Sequence, residues 1–321
     1  MDIAYLLWLQ ELRNATGGVL DSFFETISWL VISTYAYLLM VAIYWCMDKK
    51  AGIMMAMNIG FGNVANQTLK NIFCVYRPWI RDSRIVPVGD SMTGATGYSF
   101  PSGHTQCATA EFGTIAVWQR KRKWISILCV IVVLLVMFSR NYLGVHTPQD
   151  VIVSCALCSL VIFLDYRLMH WVEEKQNRDL IVFMSGIVVC IVFLLFITLK
   201  PYPLDYAADG SVLVDPVKMM EDCYKAAGCA LGFLSGWLLE KRFIKFEPMK
   251  KIWQKILCFI VGAVLLLLLV KFVCDPLVAT VTATGEMGGC LGKLLNTFIL
   301  YMYIMAGFPC LIKIVETKWM R

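Results

Sequence analysis

Three short polar islands interrupt an otherwise apolar sequence: Lys70 with Arg77 and Pro78, then Pro101-Ser102-Gly103-His104, then Ser139-Arg140 followed by His146 and Asp150. They supply three fixed positive charges, two imidazoles and a carboxylate. Fixed cations hold tetrahedral oxyanions, an imidazole serves as nucleophile or proton carrier, and a carboxylate beside it sets its tautomer. That inventory suits phosphoryl transfer at a membrane surface, a reaction that asks a protein for positioning and charge stabilisation.

Each island also has a plainer reading. Lys70 and Arg77 lie seven residues apart, two helical turns, so both project from nearly one side if the helix continues to Pro78. Taken alone they are a snorkelling lysine and an interfacial arginine. Pro101 and Ser102 precede an apolar run, which puts Ser102 at or near a helix N-cap beside unpaired backbone N–H groups. A helix start of this kind receives anions, Gly103 lets an oxyanion approach the backbone, and His104 falls in the first turn facing the same cavity. Capping accounts for Ser102 without any function, but not for His104. In the third island Arg140 ends one helix, 141–145 is a short link, and Thr147-Pro148 reads as the N-cap and first residue of the next. Asp150, four residues after His146, reaches one ring nitrogen if the chain turns there, and it also completes a capping box with Thr147. Both roles are compatible. Of the three histidines only His170, beside Trp171, stands outside the islands, and it reads as structural.

The elements that must position these groups follow from composition. With 59% hydrophobic and 16% charged residues over 321 positions, the chain reads as a polytopic membrane protein and not a soluble domain. Nine apolar runs approach or reach spanning length: 24–46, 52–73, 103–118, 124–142, 148–171, 180–199, 223–239, 252–273 and 291–312. They predict an all-α transmembrane bundle of about nine helices, one integral membrane domain over 1–321. The second, third and seventh runs are the weakest, being short or carrying groups such as Asn63, Asn66 and Gln67. Polar side chains at that depth face protein or water, so in the second run they mark an inward face leading to Lys70. The N-terminus lacks a basic region and its short apolar stretch contains Gln10 and Glu11, which predicts an interfacial amphipathic helix in place of a secretory signal. Most of the 13 cysteines sit in apolar runs as small hydrophobes, and Cys274 with Cys290, flanking one loop, is the pair to consider for a disulfide.

Orientation follows from the basic residues between the runs. One side collects Lys49, Lys50, Arg120, Lys121, Arg122, Lys123, Arg167, Lys175, Arg178, Lys241, Arg242, Lys245, Lys250, Lys251, Lys255, Lys313, Lys318 and Arg321, which is 18 of the 29. Nine crossings then put the N-terminus and all three islands on the extracytoplasmic face and the C-terminus in the cytoplasm. The net charge of +6 is explained by this asymmetry and calls for no nucleic-acid partner.

Lys70-X6-Arg77-Pro78, Pro101-Ser102-Gly103-His104 and Ser139-Arg140-X5-His146-X3-Asp150 together resemble the three-part signature of the type 2 phosphatidic acid phosphatase superfamily, which includes glucose-6-phosphatases and vanadium haloperoxidases. All three motifs occur in order, within about residues 60–160. The resemblance implies a phosphatase core in helices two to five, with 172–321 as accessory helices. It implies His146 as the nucleophile that forms a phosphohistidine, Asp150 as its orienting partner, and His104 as general acid and then base. Lys70, Arg77, Arg140, Ser102 and the Gly103 N–H would bind the phosphoryl oxygens. No metal or other cofactor is implied, and this face carries no cluster of ligand residues beyond Asp150.

A site at the membrane boundary favours a lipid phosphate or diphosphate as substrate. A water-soluble sugar phosphate, a lipid phosphotransferase and, outside enzymes, an anion transporter are the alternatives. Residues 79–100 read as a polar loop covering or selecting substrate, in which Arg81 and Arg84 would meet a second phosphate or simply face solvent. Gly228, Gly232 and Gly236 repeat every four residues and predict close helix approach. The loop from 200 to 222 carries an acidic rim of Asp205, Asp209, Asp215, Glu221 and Asp222.

Overall fold

In hydrocarbon every backbone N–H and C=O must be paired within the chain, and long apolar runs with few prolines do this as helices. In the computed structural model, which describes residues 2–92, 94–95, 97–207 and 210–319, every regular element is helical, and one isolated bridge joins Tyr206 to Val212. The helices are α1 (Asp2–Ala15), α2 (Asp21–Leu30), α3 (Thr34–Ala42), α4 (Lys49–Phe73), α5 (Pro78–Arg81), α6 (Gly103–Ala108), α7 (Thr114–Trp118), α8 (Lys123–Tyr142), α9 (Pro148–Glu174), α10 (Arg178–Leu199), α11 (Pro216–Leu239), α12 (Ile252–Leu269), α13 (Asp275–Thr282), α14 (Glu286–Met302) and α15 (Phe308–Trp319). Five-residue π-helical turns join α6 to α7, α12 to α13 and α14 to α15 without a break.

Among the described residues five helical segments are long and apolar enough to cross a membrane: Lys123–Tyr142, Pro148–Glu174, Arg178–Leu199, Ile252–Thr282 and Glu286–Glu316. Their outward faces are apolar, as at Ile181, Met184, Val188 and Val192 of α10 and Ile256, Ile260, Val264 and Leu267 of α12. Such faces belong to a chain whose solvent is lipid. Polar residues hold α4 and α11 below that apolarity, Asn58, Asn63, Asn66, Gln67 and Lys70 in the first and Lys218, Glu221, Asp222 and Lys225 in the second. The run 24–46 is two helices, α2 and α3, separated by a turn at 31–33.

The chain divides into two units. Unit 1 comprises Met1–Ala36, Ala65–Ile162 and Lys200–Met219, and holds all three islands. Its core includes Phe24, Val88, Ala95, Tyr142, Leu143 and Val145, with the Phe24 ring 4.6 Å from that of Tyr142. The 79–100 segment is tied down by α1: Gln10 Nε2 donates to the Arg84 carbonyl (3.0 Å), Val86 N–H donates back to Gln10 Oε1 (2.8 Å), and Arg13 Nη2 donates to the Val86 carbonyl (3.0 Å). Helix α1 is thus a clamp on this loop. Arg81 pairs with Asp2 (2.8 Å) and Arg84 with Asp82 (2.7 Å). In the acidic rim Asp205 accepts from the Tyr76 hydroxyl, while Asp209, like Arg321 of the basic side, lies outside the described residues.

Unit 2 comprises Tyr37–Val64, Phe163–Leu199 and Met220–Arg321. Its glycines make the close approach expected of them: a Cβ on Gly232 would lie 2.6 Å from the Phe298 carbonyl oxygen, and one on Gly236 2.6 Å from Met305 Cβ. Gly228 likewise abuts Thr297 and Leu294. Around Ala226, Ala227 and Ala230 pack Val64, Cys190, Phe193 and Ile197. His170 stacks edge-on against Tyr166, ring centroids 4.6 Å apart, as a structural residue would. All 13 cysteines, Cys274 and Cys290 included, carry free thiols, so the disulfide considered from sequence is not formed.

Candidate active site

The first island is built by a helix that stops. Helix α4 ends at Phe73, Cys74 turns left-handed (φ 47°) and its N–H caps the Lys70 carbonyl. Arg77 is extended (φ −63°, ψ 153°), the conformation forced on a residue before proline, and Pro78 opens α5. The condition for one helix to carry both cations, that it continue to Pro78, is therefore not met: the turn at 74–77 separates them and sends each to its own partners. Lys70 Nζ donates to the Tyr98 and Pro101 carbonyls (2.8 and 2.9 Å), fastening the backbone on either side of Ser99 and Phe100. Arg77 Nε donates to the Gly97 carbonyl and Nη1 to the Val145 carbonyl (both 3.0 Å).

The third island is fixed by the way α8 terminates. Gly144 takes the left-handed conformation (φ 74°), and the Val145 and His146 N–H groups both return to the Arg140 carbonyl (3.2 Å). Asn141 Nδ2 donates to the His146 carbonyl (2.9 Å), completing a rigid connection. Arg140 and His146 are thereby set by one turn. Asp150, in the first turn of α9, accepts from Thr147 N–H (2.8 Å) and from Ser99 Oγ (2.5 Å), both at Oδ2. It caps the helix and faces the histidine at once, so the two roles read from sequence coexist.

His146 is 1% exposed, and its protonation can be deduced from its neighbours. Arg77 Nη1 lies 2.9 Å from His146 Nε2. A guanidinium only donates, so Nε2 must accept and Nδ1 must carry the hydrogen. That hydrogen points to Asp150 Oδ2 and Ser99 Oγ, each 3.4 Å from Nδ1. Since Ser99 spends its own proton on Asp150, its oxygen is free to accept. Burial is the main cause holding the imidazole pKa well below its ordinary value, the Arg77 charge adds to it, and Asp150 opposes both. The ring is therefore neutral, with its lone pair at Nε2.

The second island stands where it was expected. Ser102 is the N-cap of α6, accepting from Thr105 N–H at 3.4 Å, and its own N–H donates to the Asp150 carbonyl (3.1 Å). Ser154 Oγ donates to the Ser102 carbonyl (2.6 Å), which ties the start of α6 to α9. Nothing lies within 4 Å of the place a Gly103 Cβ would occupy, leaving that corner open to a ligand. His104 and Arg140 line one cavity of about 360 Å³ with Glu25, Thr26, Ser28, Trp29, Ile32, Ser91, Gly94 and Leu143. Arg140 Nη1 donates to Ser28 Oγ, and its buried Nε has no hydrogen-bond partner among the described residues.

Sequence reasoning missed Ser99, the donor to Asp150, and the wall that α2 contributes through Glu25 and Ser28. Ser99 precedes its motif by only two residues, which is the one signal that pointed to it; a lone serine in the apolar run of α2 gives none. Among the described residues no three His, Cys, Asp or Glu side chains are grouped to hold a metal. Arg81 and Arg84 are ion-paired and do not line this cavity.

Comparison with known proteins gives a consistent answer. Residues 50–174 match the PAP2 superfamily and residues 224–318 match the transmembrane extension of PAP2 superfamily phosphatases. The chain is 31% identical over 120 residues to an undecaprenyl-diphosphatase of Sulfolobus acidocaldarius, covering 37% of this chain and 56% of that protein. Over 189 residues it is 25% identical to lipid phosphate phosphatase delta of Arabidopsis thaliana, covering 54% and 45%. To phosphatidylglycerophosphatase B of Bacillus subtilis it is 30% identical over 135 residues, covering 40% and 60%. The matches thus span about half the length of these curated relatives. No solved structure matches the chain.

Proposed function

Because this chain belongs to the PAP2 superfamily, we propose that it is an integral membrane phosphatase that hydrolyses a lipid phosphomonoester or diphosphate through a phosphohistidine at His146. The observation that carries this reading is the setting of one imidazole: Nε2 meets the Arg77 guanidinium at 2.9 Å while Nδ1 faces Asp150. Arg77 marks where a phosphoryl oxygen sits, next to the one nitrogen with an available lone pair.

In the proposed cycle the phosphoryl group displaces the Nε2 contact of Arg77, which then donates to a phosphoryl oxygen. Nε2 attacks phosphorus and the bond to the leaving oxygen breaks, with His104, protonated once the anionic phosphoryl group is bound beside it, giving that oxygen its proton. The Nδ1 hydrogen stays on the ring, and Asp150 stabilises the positive imidazole that results. Water then attacks the phosphohistidine, gives its proton to His104 and releases phosphate, restoring Nε2. Arg140, Ser102 and the Gly103 N–H stabilise the oxygens during both steps. Lys70 acts chiefly as a positive charge that also secures the 98–101 backbone, since two of its three donors are taken by carbonyls.

The lipid preference draws support from the relatives, whose names specify undecaprenyl diphosphate, lipid phosphates and phosphatidylglycerophosphate. The topology we propose has nine crossings, with 60–160 as the catalytic region on the extracytoplasmic face and a cytoplasmic C-terminus, and it rests on the distribution of Lys and Arg. The test is phosphate release by detergent-purified protein in EDTA from undecaprenyl diphosphate, phosphatidate, a sphingoid phosphate and glucose 6-phosphate. Release from lipids that is lost in His146→Ala is the expected result. Release from glucose 6-phosphate alone overturns the lipid preference, and release from none overturns the hydrolase.

A further inference from the structure

The cavity shared by His104 and Arg140 is walled on one side by α2, where positions 25, 28 and 29 fall on one helical face. The polar groups of this wall differ in what they have left to offer. Ser28 Oγ is engaged with Arg140, Thr26 Oγ1 donates to the Ser22 carbonyl (2.7 Å), and Ser91 Oγ donates to the Val88 carbonyl. Glu25 alone of these lining side chains is a carboxylate, and among the described residues it has neither a hydrogen bond nor an ion pair. A carboxyl group with no partner in a cavity that also holds the Arg140 guanidinium calls for an explanation. A second phosphate placed there would meet like charge, whereas a hydroxyl or an ammonium group would find a charged acceptor with no other claim on it.

We propose that Glu25 forms a headgroup subsite that accepts a hydrogen-bond donor, a hydroxyl or an ammonium, carried by the substrate beside its scissile phosphate. The inference rests on the phosphatase reading and narrows its substrate class, from any lipid phosphate to monoesters that present such a donor. Arg140 and His104 take the phosphoryl group at one end of the cavity. Glu25 takes the neighbouring donor at the other, and Trp29 supplies an aromatic face between polar groups.

The experiment compares two monoesters with matched chains: a sphingoid 1-phosphate, with an ammonium and a hydroxyl near the phosphate, and phosphatidate, with neither. For Glu25→Gln the ratio of kcat/KM for the sphingoid phosphate to that for phosphatidate falls at least about tenfold, mostly through KM, as expected for loss of a charge-assisted hydrogen bond. Glu25→Asp, which keeps the charge, retains the wild-type order of preference. A ratio within twofold of wild type in Glu25→Gln overturns the subsite. Binding of the two corresponding non-hydrolysable phosphonates to the full-length protein, followed by tryptophan fluorescence, separates this inference from the activity it rests on. If wild-type protein hydrolyses neither ester, the phosphatase reading fails, and the subsite is then decided by whether Glu25→Gln lowers the affinity ratio of the two phosphonates by the same factor.

Discussion

The two units bury different things for different reasons. Unit 1 keeps Lys70, Arg77, Arg140, His146 and Asp150 at 6% exposure or less, and backbone carbonyls, backbone N–H groups and serine hydroxyls hold them in place. Unit 2 buries a stripe of glycines and alanines on α11 so closely against α14 that a methyl group has no room. Unit 2 pairs charge at Lys49–Glu240 (2.7 Å) and in the bidentate Arg242–Asp179 contact (2.7 and 2.9 Å), while Asp165 is buried with its Oδ2 unpartnered among the described residues. Unit 1 turns the Arg140 guanidinium into a cavity with no ion pair to hold it, its buried Nε lacking a hydrogen-bond partner among the described residues, which costs stability and is useful if an anion binds there. Substitutions in unit 1 should therefore act on turnover and those in unit 2 on stability.

The largest effect should come from His146→Ala, with kcat lowered on the order of 10⁴-fold or more while the helical circular dichroism is retained. Arg140→Ala should cost about 100-fold to 1,000-fold in kcat, as removal of an oxyanion donor does. Ser99→Ala removes one hydrogen bond to Asp150 and leaves His146 less well oriented, so about tenfold in kcat with KM little changed is expected. Acid sensitivity sharpens the comparison from another side. Burial and Arg77 hold the His146 pKa below its usual value, so the proposed nucleophile should stay neutral and the acid limb of kcat/KM should fall below the limb of an ordinary histidine. Arg77→Gln removes a charge that disfavours the imidazolium, so that limb should move to higher pH even as the overall rate drops. The smallest effect on turnover belongs to unit 2: Gly232→Ala should lower stability by about 1–3 kcal/mol through overpacking, with kcat within about twofold of wild type, read by thermal unfolding beside the activity assay. Equal loss of kcat in Gly232→Ala and Arg140→Ala would erase the division of labour.

Much of this was legible in the sequence because charge is scarce in an apolar chain, so each Lys, Arg or His within a run invites a reason. Pro148 marked a helix start, and Ser102 marked the cap of α6. Five of the nine apolar runs correspond to helices long and apolar enough to span. What escaped was tertiary. Ser99 meets Asp150 across 51 residues and Ser28 meets Arg140 across 112, and a serine carries too little pattern for either contact to be read locally. The second apolar run ended at Phe73, where α4 ends; what the sequence left open was a continuation to Pro78, since nothing in 74–76 breaks a helix and only Arg77, before its proline, is pushed out of the helical region. The π-helical turns likewise leave no compositional mark, since they add a residue to a helix without changing its type.

One measurement bears most directly on His146 as the nucleophile: acid-free rapid quench of the purified protein with a phosphate-labelled lipid substrate, followed by peptide mass spectrometry. A phosphohistidine pathway predicts an alkali-stable phosphate on the peptide containing His146, formed at the rate of the first turnover and absent from His146→Ala. Full turnover with no covalent phosphate at any time point, or with the label on another residue, would contradict it.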